Sequence, residues 1–255
     1  MDIIAIYNTK GGVGKTATAV NLSLLSARAG ARTLICDLDP QGSTSFYFRV
    51  RPNKRHSSKL LVSGGKALAR QIKATDFARL DLLPADFSYR KLDLRFAART
   101  GAKKQLARLL RGFADEYERI FIDSPPNITL VSENIFQAAT TIIMPVIPTT
   151  LSMLTYEKTR AFLKRKRVRT RVIPFFSMVE KRKTMHVNYY ESVTQQDASF
   201  CRAYIPYASD IEKMGVYRQP IVAVKPQARA SQAYRDLWRE ITIRLQTSQG
   251  KQCLP

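Results

Sequence analysis

The chain has 255 residues, 45% of them hydrophobic, enough to bury one sizeable core, and it contains no apolar run of the roughly 18 residues that would mark a membrane span. Forty-two Lys and Arg face 20 Asp and Glu, a net charge of +22 with a pI near 10.2, which argues for a polyanionic partner, either nucleic acid or an anionic membrane surface. Cys36, Cys201 and Cys253 show no metal-ligand spacing and are odd in number, and Asp2 stands where a secretory leader would carry basic residues; the expectation is a reduced, cytoplasmic protein.

Ile3 to Tyr7 is an apolar run that reads as a strand, followed at once by Asn8-Thr-Lys-Gly-Gly-Val-Gly-Lys-Thr-Ala17. A strand feeding a glycine-rich loop that opens a helix is the layout that holds nucleotide phosphates. Gly11, Gly12 and Gly14 let successive backbone N–H groups turn inward, Val13 completes the loop, and Ala17 continues into the helix. Lys15 is placed to reach the β- and γ-phosphates, and the Thr16 hydroxyl to ligate Mg²⁺. The general phosphate-loop pattern has glycine six places before its lysine; here Thr9 stands there, and Lys10 adds a second lysine at the loop mouth.

Residues 15 to 29 read as a helix with Leu22, Leu25 and Ala29 on one face and Gly30 ending it. Arg32 to Asp37 reads as a buried parallel strand, with Asp39-Pro-Gln-Gly-Ser43 as the loop at its carboxyl end. Residues 49 to 59 are basic and polar and read as a mobile surface loop. Leu80 to Leu83 is a short strand, Lys103 to Phe113 a basic amphipathic helix, and Arg119 to Asp123 a strand ending in an acid before Ser124-Pro-Pro126. Thr141 to Ile147 is a further buried strand, expected to be broken by Pro145 and ended by Pro148, and Val172 to Phe176 is the next. Residues 231 to 246 form the last helix, with Tyr234, Leu237, Trp238 and Ile241 as a core-facing stripe. The alternation predicts a single α/β domain over residues 1–246, a doubly wound, mostly parallel sheet flanked by helices, with 247–255 as a flexible tail.

A nucleotide on such a loop lies outside the carboxyl ends of the strands, where two acids fall. Asp39, 24 residues past Lys15, can orient an attacking water or hold Mg²⁺ through one. Asp123 occupies the strand end at which phosphate-loop enzymes hold the metal, with Asp37 behind it.

Lys10-Gly-Gly-Val-Gly-Lys15-Thr16, Asp37-Leu-Asp39-Pro-Gln-Gly42 and Ile122-Asp123-Ser-Pro-Pro126 resemble the three signature motifs of the ParA/MinD ATPases, which carry a phosphate loop with an extra lysine. The likeness continues through Leu82-Leu-Pro-Ala-Asp86, Met144-Pro-Val-Ile-Pro148, Ile205-Pro206 and Ala233-Tyr234-Arg-Asp-Leu237. It implies ATP and Mg²⁺ as cofactors and a slow ATPase acting as a timer. ATP would drive a sandwich homodimer in which Lys10 reaches the partner's phosphates and joins Lys15 and Asp39 in catalysis. Pro206 and Tyr207 would flank the nucleotide. The dimer would bind DNA without sequence preference and leave it after hydrolysis stimulated by a ParB-like or McdB-like adaptor. The task implied is segregating DNA, or positioning a cargo such as carboxysomes over the nucleoid.

The DNA surface is expected along Lys158 to Arg171, which holds eight basic residues in fourteen and no acid: Lys164, Arg165, Lys166, Arg167, Arg169 and Arg171 carry it, with Arg202 and Arg218 extending it. The family's chromosome-type members usually carry arginines after the Ile-Pro pair, where this chain has Tyr207 and Asp210. A MinD-like membrane switch is the alternative, but residues 241 to 249 lack the bulky apolar face of a membrane-binding helix, so no stable membrane association is expected. An iron–sulfur carrier would need paired cysteines that the chain lacks, and nothing marks the small-substrate pocket of a biosynthetic ligase.

Overall fold

The computed structural model describes residues 1–53, 57–168 and 170–249. Seven strands form one sheet: β1 (Asp2–Ile6), β2 (Thr33–Asp37), β3 (Lys73–Ala74), β4 (Leu80–Leu83), β5 (Arg119–Asp123), β6 (Thr141–Val146) and β7 (Arg171–Phe176). Their order is β3-β4-β2-β5-β1-β6-β7, and every pair is parallel except β3 with β4. The expected doubly wound, mostly parallel sheet is present, with the two-residue β3 as an antiparallel edge that the sequence did not announce.

The central strands are apolar throughout because both faces of the sheet are covered. Along β1, Ile3, Ala5 and Tyr7 enter a core with Leu34, Phe136, Met144 and Phe176. Ile4 and Ile6 enter a second core with Phe121, Phe175, Leu237 and Trp238. Helix α1 (Lys15–Arg28) and the helix Arg229–Gln249 cover the second face; helices Leu130–Ala138 and Thr150–Arg165 contribute to the first. The stripe of Tyr234, Leu237, Trp238 and Ile241 is buried as expected, with Trp238 against Phe121 at 5.9 Å between ring centroids.

Several boundaries differ from the sequence reading. Helix α1 is wrapped on all sides, with Thr18 to Ala27 buried and Ala29 exposed, so no single apolar face describes it. The basic helix near residue 103 opens with a 3₁₀ turn, Ala102–Lys104, and is α-helical only over Gln105–Arg111. The 49–59 loop ends early, since Ser57 caps a helix Ser58–Ser63 by accepting from the Leu60 amide; Lys54, Arg55 and His56 lie outside the described residues. The last helix runs to Gln249, into the segment expected to be a tail, and residues 250–255 lie outside the described residues.

Pro145 does not break β6. In a parallel strand the N–H and C=O of one residue point to the same neighbour, so Ile143 and Pro145 both face β1. The Ile143 carbonyl accepts the Tyr7 amide at 3.0 Å, and β1 ends there. Pro145 therefore lacks its N–H on a side with no further strand, and its carbonyl accepts from the Asn8 side-chain amide at 2.8 Å. The strand continues, and the proline pins the entry to the glycine loop.

The β7 edge is also covered. The amides of Cys201 and Ile205 donate to the carbonyls of Pro174 and Phe176, and Tyr207 donates to Val179, so residues 201–207 run beside the strand and close a row of backbone groups that would otherwise be open to pairing.

Candidate functional site

The carboxyl ends of β1, β2 and β5 converge on a cleft of about 380 Å³. One wall is the glycine loop: Gly11, Gly12, Gly14, Lys15, Thr16 and Ala17 all line it. Gly12 and Gly14 sit at φ 70° and 89°, the left-handed region where a side chain is strained, and a Cβ on Gly14 would stand 3.0 Å from the Ser177 hydroxyl oxygen. Gly14 caps α1, so the first amides of a fourteen-residue helix open toward the cleft. Val13 does not line the cleft; its side chain is fully buried beneath the loop.

The two lysines behave differently. Lys15 is buried, donates to the Lys10 carbonyl at 2.9 Å, and has its pKa lowered by burial against the opposing pull of Asp123 and Asp39. Among the described residues this ammonium has no ion-pair partner, and it sits in a concave site, the condition in which an incoming phosphate gains most. Lys10 is absent from the cleft lining. Its amide donates to Asn8 Oδ1 at 2.9 Å, and its ammonium leads away to Ser152 Oγ at 3.1 Å, in the first turn of the helix Thr150–Arg165.

The acids are layered. Asp39 lines the cleft, and its Oδ1 accepts from the Gln41 amide at 3.0 Å. Asp37 and Asp123 lie deeper, directly paired in the register of β2 and β5. Asp123 Oδ2 accepts from Thr44 Oγ1 at 2.8 Å, and Asp37 Oδ2 accepts from the Ser45 amide and hydroxyl at 2.8 and 2.7 Å. Their other oxygens, Oδ1 in each case, are buried without a hydrogen-bond partner. Burial raises both pKa values, Asp37 to about 8 with the Asp123 charge as the next cause, and Asp123 to about 6 despite the hydrogen bonds of Thr44 and Thr16. Two buried carboxylates with orphaned oxygens beside a threonine hydroxyl fit a hydrated divalent cation: hard, oxygen-lined and anionic.

This pair has a consequence for stability. A carboxyl whose folded pKa is raised contributes stability below its unfolded pKa, near 4, and loses it as pH rises through the folded value. The nucleotide-free protein is therefore expected to lose stability between about pH 4 and pH 8, and Asp37→Asn to flatten that decline by up to about one proton's worth. Chemical unfolding followed across this range checks it; parallel profiles for the two proteins would remove the role given to Asp37.

The opposite wall comes from Met178, Ile205, Pro206, Tyr207, Ala208, Ile211 and Glu212. Met178 holds φ 57°, and the Tyr207 hydroxyl donates to Glu212 at 2.8 Å. Tyr234, read from sequence as core, is 1% exposed and also reaches the cleft.

Residues 1–171 match the family described as AAA domain, and the chain belongs to that family. The sporulation initiation inhibitor protein Soj of Bacillus subtilis is 28% identical, covering 94% of this chain and 97% of Soj. The chromosome partitioning protein ParA of Caulobacter vibrioides is 27% identical over 98% and 97% of the two chains. Among solved structures, a Cyanothece McdA–ATP complex superposes with a TM-score of 0.82 at 16% identity, covering 96% of each chain. The septum site-determining protein MinD of Pyrococcus horikoshii, complexed with Mg-ADP, gives 0.79 at 22% identity over 94% of this chain and 95% of its own.

The chain is a ParA/MinD-family P-loop ATPase.

Against the family's expected DNA surface, this ParA/MinD-type chain scatters its candidate residues. Lys164 and Arg165 end the helix Thr150–Arg165, Lys166 and Arg167 form the turn after it, and Arg171 opens β7. That is the amino-terminal end of the strands, the pole opposite the cleft. Lys166 pairs with Glu133 at 3.2 Å, and the Arg171 guanidinium is bonded to the Arg244 carbonyl, so neither is fully free. Arg169 lies outside the described residues. Arg202 is on the covered β7 edge, lining a second groove of about 220 Å³ with Arg229. Arg218 is elsewhere again, over the Phe46 ring. The candidates are three surfaces, not one.

Sequence reasoning missed Thr44, Ser45, Met178, Glu212 and Ser152. Thr44 and Ser45 had a signal: hydroxyls directly after an Asp-Pro-Gln-Gly turn stand opposite the strand-end acids. Met178, Glu212 and Ser152 come from distant segments with no local mark.

Proposed function

We propose that the chain is an ATP-driven positioning switch: it binds ATP with Mg²⁺, dimerises across the nucleotide, holds DNA without sequence preference while dimeric, and lets go after hydrolysis stimulated by a ParB-like or McdB-like adaptor. It would work in the cytoplasm on the nucleoid, segregating DNA or carrying a cargo such as carboxysomes. The observation that carries this reading is the division of labour between the loop lysines. Lys15 faces the cleft of its own subunit; Lys10, five residues away on the same loop, turns from that cleft to the buried Ser152. A lysine on the phosphate loop that does not serve its own cleft is suited to the phosphates of a second subunit.

The remaining roles follow from chemistry. Loop amides and Lys15 bind phosphates. Thr16 and Asp123 would hold Mg²⁺, directly or through water, and the ion neutralises charge on the transferred phosphoryl group. Asp39 orients the water, and Pro206 and Tyr207 wall the base. Lys164, Arg165, Lys166 and Arg167 form the DNA surface favoured here, because they are contiguous and dimerisation doubles the +22 charge behind them. No helix among the described residues is long and apolar enough to cross a membrane.

The test is binding to random-sequence duplex DNA with ATP, ADP or no nucleotide, beside liposome sedimentation. Binding to DNA with ATP alone is expected. Equal binding in all three states would reduce the charge to general stickiness, and ATP-dependent sedimentation with anionic liposomes would favour a membrane switch. Replacing Lys164, Arg165, Lys166 and Arg167 by alanine should weaken DNA binding by about 10-fold or more and flatten its salt dependence by about 3 to 4 units of slope, with ATP binding intact. Unchanged affinity moves the contact to the groove of Arg202 and Arg229.

A further inference from the structure

We propose that Arg218 is a positioning residue for the Asp39 loop, acting through Phe46, and not a DNA contact; this rests on the role given above to Asp39. Helix α2 (Ser43–Tyr47) begins four residues after Asp39, and the turn between them is short and tied: the Gly42 amide donates to the Asp39 carbonyl at 2.9 Å, with Gly42 at φ 66°. The inner side of α2 organises the acids, since Thr44 bonds Asp123 and Ser45 bonds Asp37, while Ser43 and Tyr47 line the cleft. A helix of five residues has too few internal hydrogen bonds to hold itself in place, so its outer side needs an anchor.

Arg218 supplies it. Its Nε donates to the Phe46 carbonyl at 3.3 Å, and its guanidinium carbon stands 4.6 Å from the centroid of the Phe46 ring; Phe46 is 47% exposed with this contact in place. A cation on a carbonyl in the last turn also complements the helix dipole. The next residue makes a second tie: with its amide oxygen turned to Arg49, Gln219 accepts from Nη2 and Nη1 at 2.8 and 3.1 Å. Arg218 holds φ 51° and ψ 47°, a left-handed conformation that strains a non-glycine residue. Charge alone placed Arg218 among the phosphate contacts; in the fold its Nε is engaged by the Phe46 carbonyl and one face of its guanidinium lies over the Phe46 ring.

The clasp also has a direction. Arg218 closes the segment whose earlier residues, Pro206 to Glu212, wall the far side of the cleft. A ligand that shifts this wall moves Arg218, hence α2, hence Asp39 and the Thr44–Asp123 contact. Arg218 thereby couples the wall away from the phosphates to the group that orients the water.

Three single variants test this: Arg218→Ala, Arg218→Lys and Phe46→Leu. Each is expected to lower kcat at saturating ATP by about 10-fold with KM for ATP, DNA affinity and salt slope within about two-fold of wild type. Lysine should not rescue, because it lacks the planar fork. The double variant Arg218→Ala with Phe46→Leu should be no worse than either alone. In the nucleotide-free protein, hydrogen exchange of the amides of residues 43–48 should accelerate about 10-fold in Arg218→Ala, with the β5 amides unchanged. Weakened DNA binding with turnover and exchange unchanged would make Arg218 a phosphate contact and overturn the proposal. A lower melting temperature with unchanged kcat would leave only a stabilising role and overturn it equally. Absence of ATP hydrolysis by the wild type would sink the switch reading itself; the exchange experiment then still decides whether the clasp exists.

Discussion

Lys15→Ala is expected to eliminate ATP binding, raising Kd by about 100-fold or more. The size follows from the environment of the ammonium. It is buried, its pKa is lowered by desolvation, and it donates to the Lys10 carbonyl, so the protein has already met the cost of desolvating it before any ligand arrives. A phosphate then contributes a charge-assisted hydrogen bond in a water-poor site, and truncating one side of such a pair costs about 3 kcal/mol, or about 100-fold. Without the lysine, Asp123 and Asp39 lose a cation that attracts them and the cleft becomes repulsive to phosphate. Calorimetric titration with Mg·ATP checks this; retained micromolar binding would mean that the loop amides alone hold the nucleotide. The companion measurement is thermal: the stabilisation that Mg·ATP gives the wild type should vanish in the variant.

Asp39→Ala separates binding from chemistry. Asp39 is the outermost of the three acids, on the cleft surface, held by the Gln41 amide, while Asp37 and Asp123 are engaged with α2 below it. Its removal leaves the loop, Lys15 and the deeper acids in place, so ATP affinity should change by less than about three-fold. Hydrolysis should fall by about 100-fold or more, the usual worth of a group that positions or activates the nucleophile. The ATP-bound state then persists, and the variant should stay on DNA after excess ATP is removed, while the wild type dissociates. Multiple-turnover phosphate release and a DNA dissociation assay check the two halves. Normal hydrolysis would transfer the water-orienting role to another residue.

The legible parts of this chain are those whose chemistry is tied to strand ends. The glycine loop, Lys15, Thr16, Asp39 and Asp123 all lie where a continuous apolar run stops, and the fold brings each of them to or just beneath the cleft. Pro145 misled because proline is judged by its missing N–H; which neighbour that N–H would have faced depends on where β1 stops. The helix Thr150–Arg165 was illegible for a different reason. Its buried residues are Ser152, Tyr156, Thr159 and Leu163, while Leu151 and Leu154 are exposed, so a hydrophobicity pattern points away from the side that packs. The helix Leu130–Ala138 had a usable start, the Thr129 amide bonded to the Ser132 hydroxyl, but its partner is a neutral serine where the common box has Glu or Gln. The basic residues show the limit of counting charge: Lys166 and Glu133 are an ion pair across two helical segments, and Arg218 is spoken for by an aromatic ring.

The helix Thr150–Arg165 joins two places described separately. Its first turn receives Lys10, and its last carries Lys164 and Arg165. Sixteen residues span about 24 Å, two to three times the distance over which salt at physiological strength screens a charge. In the proposed switch, a γ-phosphate at one pole would therefore be electrically invisible to a DNA backbone at the other. In that switch, news of hydrolysis would have to travel as displacement of a stiff rod, and the Lys10–Ser152 contact is the end on which such a rod would be pushed.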